Sequence, residues 1–206
     1  MKNYLILLLL SSTMFSIFSC NDDKDDVVPV ISLTVTNLPA DPTTGYDPNT
    51  GAPIGGTGHF TFFNLKDSTI IPLSDSATSK WDIAFNASTI ILNGGISGPA
   101  NAAAYIYNGI FNDLQRVSED SIFNADTSGK LAIGKSWSTY DPVSKVLNAT
   151  PGKVLVVRTA DNKYAKVEIL SYYKNAPAKP NYLTDVARYY TFRYVYQGNG
   201  TKLFNE

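Results

Sequence analysis

The chain holds few side chains able to do chemistry. Its 206 residues include one histidine, His59, one cysteine, Cys20, and two methionines, Met1 and Met14. One histidine leaves little choice of general base for hydrolysis or proton transfer. The glutamates, Glu119, Glu168 and Glu206, are widely separated and nothing marks them as a pair. Ser97 stands among glycines in Gly94-Gly-Ile-Ser-Gly98, but Pro99 occupies the last place of the Gly-x-Ser-x-Gly frame a nucleophile elbow needs. Asp47-Pro-Asn-Thr-Gly51 begins like a calcium loop, yet it lacks the later ligands and the closing glutamate, so it reads as a turn. Metal-ligand clusters and phosphate loops are absent from the sequence. The residues therefore point to a non-catalytic protein.

Cys20 carries the clearest chemistry. Lys2 gives a positive start, Leu5–Leu10 an apolar run that resumes at Met14–Phe18, and Ser19 a small residue before the cysteine. This is the layout of a secretory signal, here residues 1–19, whose cleavage would leave Cys20 as the first residue of the mature chain. Ser11, Ser12 and Thr13 interrupt the apolar stretch, which makes it a poor membrane-spanning helix. A thiolate at that position can take a diacylglyceryl thioether, and each buried methylene adds about 0.8 kcal/mol of membrane affinity. The membrane contact expected is this lipid anchor alone. Residues 20–27 include Asp22, Asp23, Asp25 and Asp26 with nothing apolar before Val27, which predicts a solvated acidic tether. An acidic stretch directly after the lipidated cysteine also resembles a surface-export signal, so the expected address is the outer membrane, facing outward.

Charge says little about partners. The chain has 17 basic and 18 acidic side chains, for a net charge of −1. With four acids in the tether the body is nearly neutral, which argues against nucleic-acid binding. No disulfide can staple the fold, so an apolar core must hold it, and the 44% hydrophobic content is enough to build one. The length from residue 28 to 206 suits one domain.

The elements that would position any site are strands. Val28–Val35 is β-branched, and Pro39–Gly58 reads as a long loop or hairpin excursion. His59–Leu65 and Thr69–Leu73 are strand-like. In Lys80–Phe85 alternation predicts Trp81, Ile83 and Phe85 on one face, with Asp82 and Ala84 on the other. Thr89–Leu92 then runs into the glycines at 94, 95 and 98. Asn101–Tyr107 reads as a short helix or an aromatic strand, and Phe111–Asp120 could hold one helical turn. Lys153–Thr159 and Tyr164–Tyr172, joined through Asp161-Asn162, predict a β-hairpin. Tyr189–Tyr196 is a last strand with Tyr190, Phe192, Tyr194 and Tyr196 on one side. Long helical periodicity is missing. The expected fold is mainly β, a single domain with a curved antiparallel sheet, hairpins and few short helices.

Four blocks in order resemble the HmuY family: Lys80-Trp-Asp-Ile-Ala-Phe85, Leu92-Asn-Gly-Gly-Ile-Ser-Gly98, the hairpin Val156–Ile169, and Tyr190-Thr-Phe-Arg-Tyr-Val-Tyr196. The family comprises Bacteroidetes surface lipoproteins, some of which capture haem. The resemblance implies a mostly β fold that grips a porphyrin. It also implies a TonB-dependent outer-membrane receptor as the partner that takes the haem, and a role in iron acquisition.

Haem iron needs an axial donor, normally imidazole, thioether, thiolate or phenolate. The founding type uses two histidines and other members use methionines. The resemblance places the first of these at Asn86, and the second near Leu114–Ser121, which holds neither residue type. An amide is a poor iron ligand. The remaining candidates are His59, either a ligand or a surface side chain, and Tyr105 and Tyr107, which either stack on or ligate a porphyrin or are half-buried strand aromatics. Missing ligands leave a second reading open, in which the scaffold serves adhesion or binds glycan or protein.

Overall fold

The computed structural model of the chain describes residues 30–47 and 52–204. The signal segment, Cys20 and the acidic tether lie outside the described residues. The strands are β1 (Ser32–Pro39), β2 (Gly45–Tyr46), β3 (Pro53–Ile54), β4 (Thr61–Asn64), β5 (Thr69–Ile71), β6 (Ile83–Asn86) and β7 (Thr89–Leu92). They continue as β8 (Ala103–Asn108), β9 (Ser138–Asp141), β10 (Val146–Ala149), β11 (Lys153–Arg158), β12 (Tyr164–Tyr173) and β13 (Ala187–Gln197). The sole helical element among the described residues is a 3-10 turn, Leu73–Asp75.

Nine of the described strands divide between two antiparallel sheets. One has five strands in the order β1-β13-β12-β11-β8, the other four in the order β5-β4-β6-β7. β2–β3 and β9–β10 form separate two-stranded hairpins. The predicted hairpin is β11–β12, with Val157 opposite Ala165 and Asn162 at positive φ in its turn. The Asn101–Tyr107 ambiguity resolves as strand β8, and Phe111–Asp113 forms a turn closed by the Asp113 N–H on the Ile110 carbonyl rather than a helix.

The two sheets face one another across the main core. Leu155, Val157, Val167, Tyr190, Phe192 and Tyr194 from the larger sheet meet Phe63, Ile83, Phe85, Ile90 and Leu92 from the smaller. Phe192 makes an edge contact with Phe63 and stacks on Phe85, each at 5.5 Å between ring centres. Burying a side chain of this size is worth about 1.5–3 kcal/mol, so these rings dominate the cohesion between sheets. The expected alternation Tyr190-Phe192-Tyr194 holds, because each points into this core.

Asp82 ties the sheets together. Its carboxylate accepts the Leu65 N–H from the smaller sheet and the Ala160 N–H from the β11–β12 turn, both at 2.8 Å. Burial pushes the Asp82 carboxyl above the usual range, against the pull of those two donors.

Each sheet also has an outer face. That of the five-stranded sheet is covered by Phe111, Leu114, Val117 and Phe204. Lys166, nearly buried, fixes this cover by donating to the carbonyls of Phe111 at 2.9 Å and Leu114 at 2.8 Å. On the four-stranded sheet the outer cluster is Phe62, Trp81, Ala84 and Ile91. Trp81 therefore does not share the face of Ile83 and Phe85, as simple alternation predicts. The strand begins only at Ile83, and Trp81 precedes it, with its indole N–H on the Ser76 carbonyl at 2.9 Å.

Candidate functional site

The outer face of the four-stranded sheet is only partly covered. An open apolar groove of about 730 Å³ lies there, floored by Phe60, Phe62, Thr89 and Ile91. Ser76 and Ala77 form one wall; Gly95–Pro99 and Leu131 form the other. No charged side chain lines it. Ile96 is 66% exposed on its lip, an apolar side chain left largely in water.

Local sequence explains the shape. Phe60 and Phe62 point the same way from adjoining alternate positions, their rings 6.5 Å apart, and Phe62 packs against Trp81 at 4.8 Å. The glycine loop holds the far wall. A Cβ at Gly94 would lie 2.0 Å from the Ala102 carbonyl oxygen, and one at Gly95, whose φ is +63°, 1.9 Å from that of Asp126. Only glycine permits that approach. Asn93, fully buried, gives its amide N–H groups to the carbonyls of Trp81 at 2.7 Å and Thr78 at 2.9 Å. Asp126, also buried, accepts the Leu92 N–H at 2.9 Å and the Ala132 N–H at 2.8 Å, which brings Leu131 to the groove. The blocks Trp81-Asp82 and Asn93-Gly94-Gly95 are thus a frame that shapes a cavity.

The β6–β7 turn closes one end. Strand alternation puts Asn86 on the face of Ala84, and the Asn86 amide donates to the His59 carbonyl at 2.9 Å. Beneath the turn, the Tyr190 hydroxyl donates to the Ala87 carbonyl at 2.9 Å and the Trp137 indole to the Ser88 carbonyl at 3.0 Å. The turn is rigidly seated.

Of the sequence candidates, the structure brings Asn86 to the His59 backbone, next in the chain to the groove residue Phe60, although neither His59 nor Asn86 lines the groove itself. The His59 side chain is exposed. Tyr105 and Tyr107 are not brought there. They lie on the outer face of the five-stranded sheet, opposite Val156 and Val154, with Tyr105 edge-on to Phe123 at 5.1 Å. Sequence reasoning missed Phe60, Phe62 and Ile91, although the alternation of Phe60 and Phe62 was a usable signal.

The donor set suits a ring more than its metal. The groove offers an apolar bed whose lining includes the hydroxyl residues Ser76, Ser97 and Thr89 but no histidine, methionine, cysteine or tyrosine. Among the described residues no group of three His, Cys, Asp or Glu could hold a metal ion.

Residues 57–194 match the HmuY protein family. The chain belongs to the HmuY family. Among solved structures it is similar to the apo HmuY analogue of Tannerella forsythia, with 15% identity and TM-score 0.55 over 84% of this chain and 99% of that one. It is also similar to a Bacteroides vulgatus protein assigned as HmuY-like and haem-binding, at 19% identity and TM-score 0.50 over 80% and 91%. A Bacteroides fragilis protein assigned as a lipoprotein aligns at 18% identity and TM-score 0.51 over 80% and 90%. At these identities the three structures show a shared fold. No curated protein matches the chain. The groove and its glycine-loop wall lie wholly inside the family segment.

Proposed function

We propose that this HmuY-family protein is a surface lipoprotein that captures haem or a related porphyrin for iron acquisition, and that it has no catalytic role. The observation that carries the reading is the apolar groove, with its floor of Phe60, Phe62 and Ile91 and its end formed by the seated turn at Asn86. A porphyrin is a flat apolar disc with two carboxylates on one edge. In this groove its faces lie against aromatic and aliphatic side chains while the carboxylates remain in water at the open side. Its volume is within the roughly 300–1,000 Å³ of small-molecule sites. Membership in the family supports the reading, as does the likeness to the Bacteroides vulgatus protein assigned as haem-binding.

Ligation here differs from the paired donors of the family. Asn86 is a poor ligand and His59 is the one imidazole the chain has to offer, so ring burial supplies most of the affinity. Cys20, freed by cleavage after Ser19, carries the lipid on the outer membrane. Residues 20–27 act as tether and 28–206 as the binding body, which passes haem to a TonB-dependent receptor.

The test is a haemin titration of the chain from Asn21 to Glu206, monitored at the Soret band. Saturable binding at one equivalent is expected. Absence of any saturable shift, in either oxidation state of the iron, overturns the reading.

A further inference from the structure

A second cavity lies on the other side of the β6–β7 turn. Ser88 faces it, while Thr89 faces the groove. This cleft, about 430 Å³, sits between the β2–β3 hairpin, the β9–β10 hairpin and the start of β13. Its chemistry is distinct from that of the groove. Five tyrosines line it, together with Lys135, Lys145 and Arg188, and no acidic side chain does.

Its floor is fixed in advance. Tyr172 and Tyr173 meet edge to face at 5.6 Å, and Tyr172 packs on Tyr190 at 5.5 Å. The Tyr173 hydroxyl accepts the Leu147 N–H at 3.1 Å. The Tyr46 hydroxyl accepts the Ala187 N–H at 3.2 Å and donates to the Asp185 carbonyl at 3.3 Å. Burial pushes the Tyr172 and Tyr173 phenols up, which favours their neutral form. Arg188 is held at φ +66°, a conformation that non-glycine residues rarely adopt. Its guanidinium donates to the Asp41 carbonyl at 3.0 Å. Above this floor stand an exposed Tyr140 and Tyr182, the latter with the Lys145 ammonium 5.1 Å from its ring. Neither Lys135 nor Lys145 makes an ion pair with a carboxylate among the described residues.

From this arrangement we infer that the tyrosine-lined cleft is a separate binding site for an acidic sugar, one whose ring stacks on tyrosine and whose carboxylate meets Lys135 and Lys145. A pyranose has an apolar C–H face that packs on an aromatic ring and hydroxyls at its edge that pair with phenols. Tyrosine supplies both at low entropic cost. Two lysines with no carboxylate partner among the described residues supply the charge preference. The fixed floor means that little ordering is lost on binding. The site does not depend on porphyrin capture in the groove.

The mature protein, from residue 20 onward, should be titrated calorimetrically in detergent micelles with an unsulfated glucuronate-containing chondroitin disaccharide and with sialyllactose. Lactose serves as the neutral control. Saturable binding of at least one acidic sugar is expected, with lactose at least tenfold weaker. Lys135→Ala/Lys145→Ala, which alters two exposed side chains, should weaken the acidic sugar at least tenfold, and Tyr140→Ala should weaken it similarly. The proposal is overturned if neither acidic sugar binds saturably, if lactose binds equally well, or if the double variant binds as the wild type does.

Discussion

The groove and the cleft share one turn as a boundary, yet they are built from opposite materials. The groove is bedded on one sheet face, with Phe60 and Phe62 at the start of β4 and Ile91 on β7 across β6, and no charged side chain lines it. The cleft gathers Tyr46, Tyr140, Tyr172, Tyr173 and Tyr182 from segments distant in sequence and adds three cations. A strand face yields a flat apolar bed suited to a disc. Converging loops yield polar edges at several heights, suited to a hydroxylated ring. One scaffold can in this way hold two sites without either reshaping the other, because Tyr190 and Trp137 seat the turn between them.

That contrast can be broken most severely at Phe60. Phe60→Asp places a carboxylate on the groove floor, and haemin affinity should fall on the order of 30-fold, about 2 kcal/mol, by Soret titration. Acidic-sugar binding should not change. A parallel loss at both sites would show that they are one.

Asn86→His should act in the opposite direction. It puts an imidazole beside His59 at the end of the groove, and haemin affinity should rise roughly tenfold, with a sharper Soret band, as a second axial donor becomes available. An unchanged spectrum would separate the groove from the iron.

Asp41 tests the support of the cleft. Burial favours its neutral form, but the N–H groups of Thr57 and Gly58, the Thr57 hydroxyl and Arg188 together hold the carboxyl below its usual range. The Gly58 N–H lies 3.0 Å away and Arg188 3.9 Å. A lowered folded-state pKa means this stabilisation is complete above the unfolded value near pH 4 and is lost as pH falls through the folded one. Asp41→Asn should therefore cost about 1–2 kcal/mol in urea unfolding at neutral pH. The gap from wild type should close under acid below about pH 4. A gap independent of pH would contradict the assignment.

The smallest effect is expected at His59. With its side chain exposed and the ring doing the binding, His59→Ala should alter the Soret maximum but change affinity less than about threefold. A larger loss would shift the weight of binding from the groove to the metal.

How far the sequence foretold this depends on the range of the interactions. The β11–β12 hairpin and the inward face of β13 were legible, because local alternation and one Asp-Asn turn specify them. Trp81 was misplaced since alternation assumes a strand already running at residue 81, whereas pairing starts at Ile83. In the sequence Asp82 is only one residue of the face opposite Ile83, and Asp126 carries no signal. Their roles depend on N–H groups at Ala160 and Ala132, which no local pattern connects to them. His59 and Asn86 were singled out separately, and the fold made them neighbours. Tyr105 and Tyr107, chosen for their aromatic character, face another cluster because the glycine loop before β8 leads that strand to the edge of the other sheet. The tyrosine cleft had no sequence signature, since its walls meet only through tertiary packing.

The most direct test of the account is the haemin titration of residues 21–206, run in parallel on wild type and Phe60→Asp. One saturable equivalent is expected for the wild type and a strongly weakened isotherm for the variant. Equal binding by both, or none by the wild type, would contradict it.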